Sequence, residues 1–261
     1  MSVKIKLIGI GLGNPKHLTV EAADAIASCD LIIVGEKKGR KSDLANLKKE
    51  ISHNQIKAEK TKIVTFLFPE RKDKEIVYKD AVLDWHSEIA DCWIHLISKF
   101  LTKNNLSETI IGIPVWGDPS LYDSSLRIGE KVKSKIENSF LEVIAGISSP
   151  HLLTASFGIP FNKIGESVLI TTGRQLREKG WPKEVDTIFV MLDGSCSFSN
   201  LEDPDLYIWW GAYLGLERET LVEGNLQDKK NDIINIRQKL KKQFGWIMDI
   251  YKIQRTANKG I

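Results

Sequence analysis

The first residues that could take part in chemistry form a glycine-rich segment near the start of the chain. Gly9-Ile10-Gly11-Leu12-Gly13 ends an apolar run at residues 3–10 that predicts a β-strand. Glycines at the end of a strand allow a small ligand to approach the backbone closely. The segment matches a dinucleotide-binding loop only in part, because Asn14-Pro15 replaces the third glycine and the helix start. The next helix is predicted to begin near Thr19, a residue suited to an N-cap.

Two further segments have the same position relative to a predicted strand. Gly117-Asp118-Pro119-Ser120-Leu121-Tyr122 follows a strand at residues 109–115, and Ala145-Gly146-Ile147-Ser148-Ser149 follows a strand at residues 141–144. Their backbone N–H groups, hydroxyls and carboxylate are suited to binding a polar small molecule. Because the carboxyl ends of parallel strands lie at one edge of a sheet, we expect all three loops to converge there.

The elements that position these loops alternate between strand and helix, which is typical of a parallel sheet. Beyond Pro160 the pattern changes to strands with shorter connections and one long helix. We therefore predict a two-domain α/β fold, with an N-terminal parallel α/β domain at residues 1–160 and a C-terminal mixed-sheet α/β domain at residues 161–261. The predicted strands are 3–10, 31–34, 63–66, 109–115, 141–144, 167–172, 187–192, 206–210, 220–223 and 246–254, and the predicted helices are 19–28, 43–53, 75–101, 120–135, 149–157 and 227–242.

Composition narrows the class of partner. The 37 basic and 34 acidic side chains leave a net charge of +3, too small for a dedicated nucleic-acid binder and compatible with an anionic small molecule. No apolar run reaches membrane-spanning length, and the N-terminus lacks a signal-peptide core. The three separated cysteines indicate reduced thiols, so we expect a cytoplasmic protein. Cys92 and His95 have a helical spacing that could share a metal, but without further ligands at suitable spacing we expect no metal site.

The order and spacing of the three loops resemble the tetrapyrrole (corrin/porphyrin) methylase family. Later segments resemble one branch of that family, and the likeness extends from about residue 6 to residue 255. These segments are Val115 to Ser124, Thr171-Thr172-Gly173-Arg174, Val190-Met191-Leu192-Asp193-Gly194, Trp210-Gly211-Ala212-Tyr213-Leu214-Gly215 and Gly245-Trp246-Ile247-Met248-Asp249.

The resemblance implies an enzyme of cobalamin biosynthesis that uses S-adenosylmethionine to methylate C-1 of precorrin-5, while water removes an acetyl group as acetate. It also implies a homodimer whose cofactor lies in the cleft between the two domains. Leu12 departs from the proline common in relatives that make earlier intermediates. The cofactor-binding positions carried over are Leu12, Trp116, Gly117, Asp118, Leu121, Ser148, Ser149, Met191 and Ala212.

Catalytic groups are less evident, because a sulfonium methyl donor mainly needs its acceptor carbon held in line. Acetyl removal by water needs a general base and an oxyanion donor. Glu36 is our first candidate base, and Asp118 is a candidate catalytic acceptor for a hydroxyl or amine. Asp84, His86, Asp123 and Arg174 compete with Glu36. The candidate substrate-binding residues are Gly11, Gly13, Lys37, Arg127 and Arg174, with Lys38 as a further cation for the substrate carboxylates and Trp116 as a stacking candidate.

Three other functions stay open at this point. A different tetrapyrrole methylase would share the three loops. A nicotinamide-dependent oxidoreductase would use the glycine loop for pyrophosphate and Glu36 for a ribose. A binding protein that retains the fold without turnover is the third, since the base is not identified.

Overall fold

The computed structural model describes residues 2–37, 43–56, 61–70, 78–104 and 106–256. The chain divides into two compact units, Met1–Ser148 and Ser149–Ile261. Each unit contains one five-stranded sheet.

The first unit is the predicted parallel α/β layer structure. Every neighbouring pair of strands is parallel, in the order β3-β2-β4-β1-β5. The carboxyl ends of β4, β1 and β5 are therefore neighbours, and the three loops follow these strands. The strands are β1 Ser2–Gly9, β2 Leu31–Glu36, β3 Lys62–Leu67, β4 Glu108–Val115 and β5 Ser139–Ile144, and the helices are α1 Val20–Ala27, α2 Asp43–Gln55, α3 Tyr78–Lys103 and α4 Ser125–Lys133.

Helices cover both faces of this sheet. Side chains of α3 and α4 pack on one face, where Ile89, Trp93 and Ile128 join a buried cluster with the strands. Side chains of α1 and α2 form a second buried cluster, which includes Ile26 and Ile51. Burial on both faces explains why the inner strands β2 and β4 are nearly continuous runs of Ile, Leu and Val. The sheet edge is thereby fixed as a rigid base for the loops.

Helix α4 starts later than the sequence predicts. We expected a helix from residue 120, whereas α4 begins at Ser125. The Asp118 side chain accepts a hydrogen bond from Ser120 N (2.8 Å), which closes a local turn. Tyr122 has φ 50°, a left-handed conformation that a helix does not contain. Asp123 Oδ1 accepts from Ser125 N at 2.6 Å and so caps the true helix start.

The second unit contains the predicted mixed sheet, in the order β6-β7-β10-β8-β9. Only β6 and β7 are parallel, and the other neighbouring pairs are antiparallel. A short helix, α6, follows β6 in addition to the elements expected. The strands are β6 Val168–Thr172, β7 Thr187–Met191, β8 Leu206–Ala212, β9 Thr220–Asn225 and β10 Asp249–Arg255, and the helices are α5 Ser149–Phe157, α6 Gly173–Lys179 and α7 Leu226–Phe244.

Helix α5 belongs to the second unit. The sequence assigned it to the first domain, with a boundary after residue 160, because the change in pattern comes there. In the structure α5 packs against β8 and β10, and the division of the chain into two compact units falls between Ser148 and Ser149.

A buried lysine connects the chain beyond α5 to this sheet. Lys252 on β10 is 2% exposed, and its Nζ donates to the Pro160 carbonyl at 2.8 Å. Its ammonium lies 5.0 Å from the Trp209 ring centroid and 6.0 Å from that of Phe189. Burial, together with the nearby charge of Lys163, lowers the pKa of Lys252 to about 8.

This lowered pKa makes stability depend on pH. In an unfolded chain the pKa of a lysine is about 10.4, so the side chain keeps its proton up to about that pH. Folded Lys252 loses its proton near pH 8. Between that pH and about 10.4, the unfolded chain therefore binds more protons than the folded chain, so the free energy of unfolding should rise with pH. In Lys252→Met we expect this rise to be lost and stability at neutral pH to increase, as measured by urea unfolding across this range. Lys239→Met, on the exposed side of α7, is the matched control and should keep the wild-type slope. If the free energy of unfolding of Lys252→Met rose with pH as steeply as that of wild type, the lowered pKa of Lys252 would not be its cause.

Candidate functional site

The three loops of the first unit meet through their backbones, as their spacing predicts. Gly117 N donates to the Gly11 carbonyl at 2.8 Å, which pairs the loops after β4 and β1. A Cβ on Gly9 would lie 2.6 Å from Gly146 N, and a Cβ on Gly146 would lie 2.2 Å from the Gly117 oxygen. Gly11 and Gly117 have φ of +65° and +70°, which favours glycine at both positions. At Gly9 and Gly146, therefore, no side chain larger than hydrogen fits.

Asp118 joins two of these loops with one carboxylate. Its Oδ2 accepts a hydrogen bond from Gly146 N at 2.9 Å, and this bond links the loop after β4 to the loop after β5. Its Oδ1 accepts from Ser120 N at 2.8 Å and from the Ser120 hydroxyl. The local bonds are those of a turn-capping aspartate. The bond to Gly146 goes beyond that role, because it fixes the separation of the two loops.

The other candidate residues of these segments lie in the same three loops. Leu12 is 7% exposed, and its Cδ2 lies 3.8 Å from the position of a Cβ on Gly117. Trp116 packs against the cluster beneath α1 and α2, and its buried Nε1 has no hydrogen-bond partner among the described residues. Leu121 N donates to the Asp118 carbonyl at 3.3 Å. Gly13 is buried with φ +98°, Ser148 is 6% exposed, and Ser149 is the first residue of α5.

Glu36 is not beside the glycine loop. It ends β2, which pairs with β4 rather than β1, so two inter-strand spacings of about 4.8 Å separate it from the loop after β1. Its carboxylate forms an ion pair with Lys49 of α2, a contact that the sequence did not indicate. This placement argues against a ribose-binding acid, which stands on the strand next to β1 in the dinucleotide fold. Lys37 follows it and is exposed, whereas Lys38 lies outside the described residues.

The remaining charged candidates are dispersed. Arg127 is exposed on α4 and donates to the Asp123 carbonyl at 3.2 Å. Arg174 is exposed in the first turn of α6, in the second unit. Of the competing bases, Asp84 is exposed on α3, whereas His86 is 2% exposed and bonded to Ser124.

In the second unit, Met191 ends β7 and leads into a loop held by Asp193. The Asp193 carboxylate is buried and accepts from Ser195 N (3.0 Å), Ser197 N (2.6 Å) and the Tyr251 hydroxyl (2.7 Å). Burial, reinforced by the Asp193 charge, raises the pKa of Tyr251 well above its usual value. Tyr251 is therefore a permanent hydrogen-bond donor, and the loop after Met191 has a fixed shape.

Ala212 ends β8, and the segment that follows it is braced by the residues just before β10. Tyr213 N donates to the Met248 carbonyl at 2.9 Å, and the Tyr213 hydroxyl donates to the Trp246 carbonyl. The Arg218 guanidinium lies 4.6 Å from the Tyr213 ring centroid and 5.1 Å from that of Trp246. Residues 210–215 and 245–249, two of the segments that resemble the branch, thus pack against each other.

Beneath this segment lies a buried ion pair. Arg237 Nε donates to Asp249 Oδ2 at 2.8 Å, and Trp210 Nε1 donates to the same oxygen at 3.1 Å. Burial raises the pKa of Asp249, and the Arg237 guanidinium partly offsets that rise. Because a buried unpaired charge is costly, Arg237 and Asp249 require each other.

Other classes of site are not found in the described part of the chain. It contains no group of three His, Cys, Asp or Glu side chains placed to hold a metal ion. Cys29, Cys92 and Cys196 are free thiols. Among the helices described, none combines the length and the apolar character needed to cross a membrane.

The sequence profile described as Tetrapyrrole (Corrin/Porphyrin) Methylases matches residues 4–230. The chain belongs to the tetrapyrrole methylase family. It therefore shares ancestry with methyltransferases, and the nicotinamide reading of its glycine loop is not supported.

Relatives within this family cover nearly the whole chain. A precorrin-6A synthase [deacetylating] from Sinorhizobium sp is 40% identical over 256 residues, which are 98% of this chain and 96% of that protein. The crystal structure of a cobalamin synthesis related protein from Corynebacterium diphtheriae has a TM-score of 0.80 at 32% identity, covering 98% of this chain and 99% of that chain. A Thermus thermophilus uroporphyrin-III C-methyltransferase complexed with S-adenosylhomocysteine has a TM-score of 0.53 at 13% identity, covering 96% and 97%, and shows the shared fold.

The close approach of the three loops should be intolerant of one added carbon. In Gly146→Ala the new Cβ would lie 2.2 Å from a backbone oxygen, so the loops must separate. We expect the free energy of unfolding to fall by about 1–3 kcal/mol, measured by urea denaturation. Gly194→Ala is the control, because its Cβ would meet nothing within 4 Å. Equal stability of Gly146→Ala and wild type would contradict the described loop contact.

Proposed function

We propose that this chain is an S-adenosylmethionine-dependent C-1 methyltransferase of cobalamin biosynthesis. It converts precorrin-5 and water to precorrin-6A, with release of acetate and S-adenosylhomocysteine. The observation that carries the proposal is the 40% identity, over 98% of the chain, to the precorrin-6A synthase of Sinorhizobium sp. Two tightly packed segments quoted for the branch resemblance, 210–215 and 245–249, support it.

The first unit has features that fit the methyl donor. Gly11 and Gly117 have no side chain, so a ligand can approach their backbone. The buried Trp116 Nε1 is a hydrogen-bond donor without a partner among the described residues. S-adenosylmethionine supplies a methyl group on a sulfonium whose leaving group is a neutral thioether. The proposed contacts are Leu12, Trp116, Gly117, Asp118, Leu121, Ser148, Ser149, Met191 and Ala212.

Positioning is the main task that these residues perform. The Asp118 bonds to Gly146 and Ser120 fix the loops before any ligand binds, so little conformational freedom is lost on binding. A preorganised site holds an acceptor carbon in line with the donor, which lowers the barrier without a reactive side chain. Asp118 acts here through its fixed carboxylate, as a brace and as a hydrogen-bond acceptor.

The substrate carboxylates need cations and the acetyl group needs an activated water. Exposed Lys37, Arg127 and Arg174 are the proposed anchors, with Gly11 and Gly13 giving room for the macrocycle. Glu36 stays the proposed base for water. Its carboxylate forms an ion pair with Lys49 of α2, which holds it in a defined orientation.

The expectations of a homodimer and of a cytoplasmic location are part of this proposal. The dimer follows from the family resemblance. The three free thiols support a reducing compartment. We propose no nucleic-acid or membrane partner, in keeping with the small net charge of +3.

The test is product stoichiometry. Purified protein incubated with precorrin-5 and S-adenosylmethionine should release acetate and S-adenosylhomocysteine in equal amounts, measured by enzymatic acetate assay and mass spectrometry. Glu36→Gln should reduce the rate by about 10²–10⁴-fold, the usual contribution of a general base. Formation of S-adenosylhomocysteine without acetate would instead indicate a tetrapyrrole methylase acting at another position. Absence of both products would refute the proposed function.

A further inference from the structure

A second polar cluster lies where the loop that begins at Gly117 enters α4. Ser124 occupies the N-cap position of α4, for which serine is well suited, but its hydroxyl makes no capping bond. The neighbouring Asp123 caps the helix instead, through Ser125 N at 2.6 Å. The Ser124 hydroxyl is thereby released and lies 2.8 Å from His86 Nε2 of α3.

The charge state of His86 follows from its surroundings. The side chain is 2% exposed. Burial lowers the pKa of His86, and the charges of Arg127 and Lys131 on α4 lower it further, against the opposing effect of Asp123. The ring is therefore neutral at pH 7 and carries a single proton.

The position of that proton is set by the second ring nitrogen. Nδ1 of His86 is buried and has no hydrogen-bond partner among the described residues. A proton on Nδ1 would be a buried donor without an acceptor, which proteins rarely contain. The proton belongs on Nε2, where it is donated to Ser124 Oγ. Ser124 then accepts from His86 and keeps its own hydroxyl proton to donate to another group.

We propose that Ser124 donates a hydrogen bond to the carbonyl oxygen of the acetyl group during its removal, and that His86 positions this hydroxyl. This role rests on the proposed function. Ser124 is half-buried, the neighbouring Tyr122 is 45% exposed, and exposed Arg127 lies one turn along α4. The N-terminus of α4 adds its partial positive charge at the same place. A chain of hydrogen bonds from Nε2 through Oγ strengthens the final donor.

The step that this donor assists balances as a carbon–carbon bond cleavage. Water adds to the acetyl carbonyl carbon and gives its proton to the base. The carbonyl π pair moves to the oxygen, which accepts the hydrogen bond from Ser124. Collapse then breaks the bond to C-1 and leaves the electron pair there, and the released acetic acid gives its remaining proton to solvent and departs as acetate. That pair forms the new bond to the donor methyl carbon as the methyl–sulfur bond breaks and its electron pair stays on sulfur, which leaves S-adenosylhomocysteine as a neutral thioether. Acetyl loss and methyl transfer are thereby coupled.

The experiment compares four variants with wild type in the stoichiometric assay. Ser124→Ala should lower kcat for acetate release by about 10²–10³-fold, the usual effect of removing one oxyanion donor. Its KM and its affinity for S-adenosylhomocysteine should not change, because the bond forms in the transition state. Ser124→Thr keeps the hydroxyl and should recover most of the rate. His86→Gln, which retains a donor, should fall between them, and Ser125→Ala is the matched control at wild-type rate.

Outcomes for this role and for the proposed function are separable. Wild-type protein without acetate or S-adenosylhomocysteine production refutes the function. Active wild type with an equally active Ser124→Ala refutes the role of Ser124 alone. Acetylated Ser124 in a quenched single turnover would make Ser124 a nucleophile and contradict the donor assignment.

The ring tautomer gives a readout that needs no substrate. In protein labelled with ¹⁵N-histidine, His86 should show a protonated Nε2 and an unprotonated Nδ1 near neutral pH. Ser124→Ala should shift the Nε2 resonance, while Ser125→Ala should leave it in place. A protonated Nδ1 would mean that His86 accepts from Ser124, and would overturn the proposal.

Discussion

The Asp118 carboxylate is the constraint on which the first unit's site depends. One side chain after β4 bonds to Gly146 N at the end of β5 and to Ser120 N in its own loop. Hydrogen bonds to a charged acceptor are stronger than neutral ones, at about 1.5–3 kcal/mol each. The backbones of Gly9, Gly117 and Gly146 approach each other closely because the carboxylate holds the loops together and no Cβ intervenes.

The second unit uses the same principle with different residues. Asp193 fixes the loop after Met191, and Tyr213 ties the loop after Ala212 to the segment before β10. In both units an aspartate carboxylate that accepts several hydrogen bonds holds a loop in one shape. Such preorganisation suits a reaction in which alignment, rather than a reactive side chain, accounts for most of the rate. The His86–Ser124 pair adds one directed donor to this framework.

The sequence predicted the parallel sheet, the mixed sheet and the convergence of the three loops, because these follow from strand periodicity and from glycines at strand ends. It misplaced the start of α4, since Asp118 and Asp123 form local turns that compete with helix. The pairing of Glu36 with Lys49 and of His86 with Ser124 joins residues 13 and 38 positions apart. Spacing along one chain does not encode such contacts, whereas strand order and helix packing create them.

We propose that the loops braced by Asp118 bind S-adenosylmethionine and its product. Calorimetric titration with S-adenosylhomocysteine tests it most directly, in wild type, in Asp118→Ala and in Asp24→Ala, an exposed control on α1. We expect tight binding that Asp118→Ala weakens by about tenfold or more, equivalent to about 1.4 kcal/mol, and that Asp24→Ala leaves unchanged. Equal affinity in all three proteins, or tighter binding of NAD than of S-adenosylhomocysteine, would contradict it.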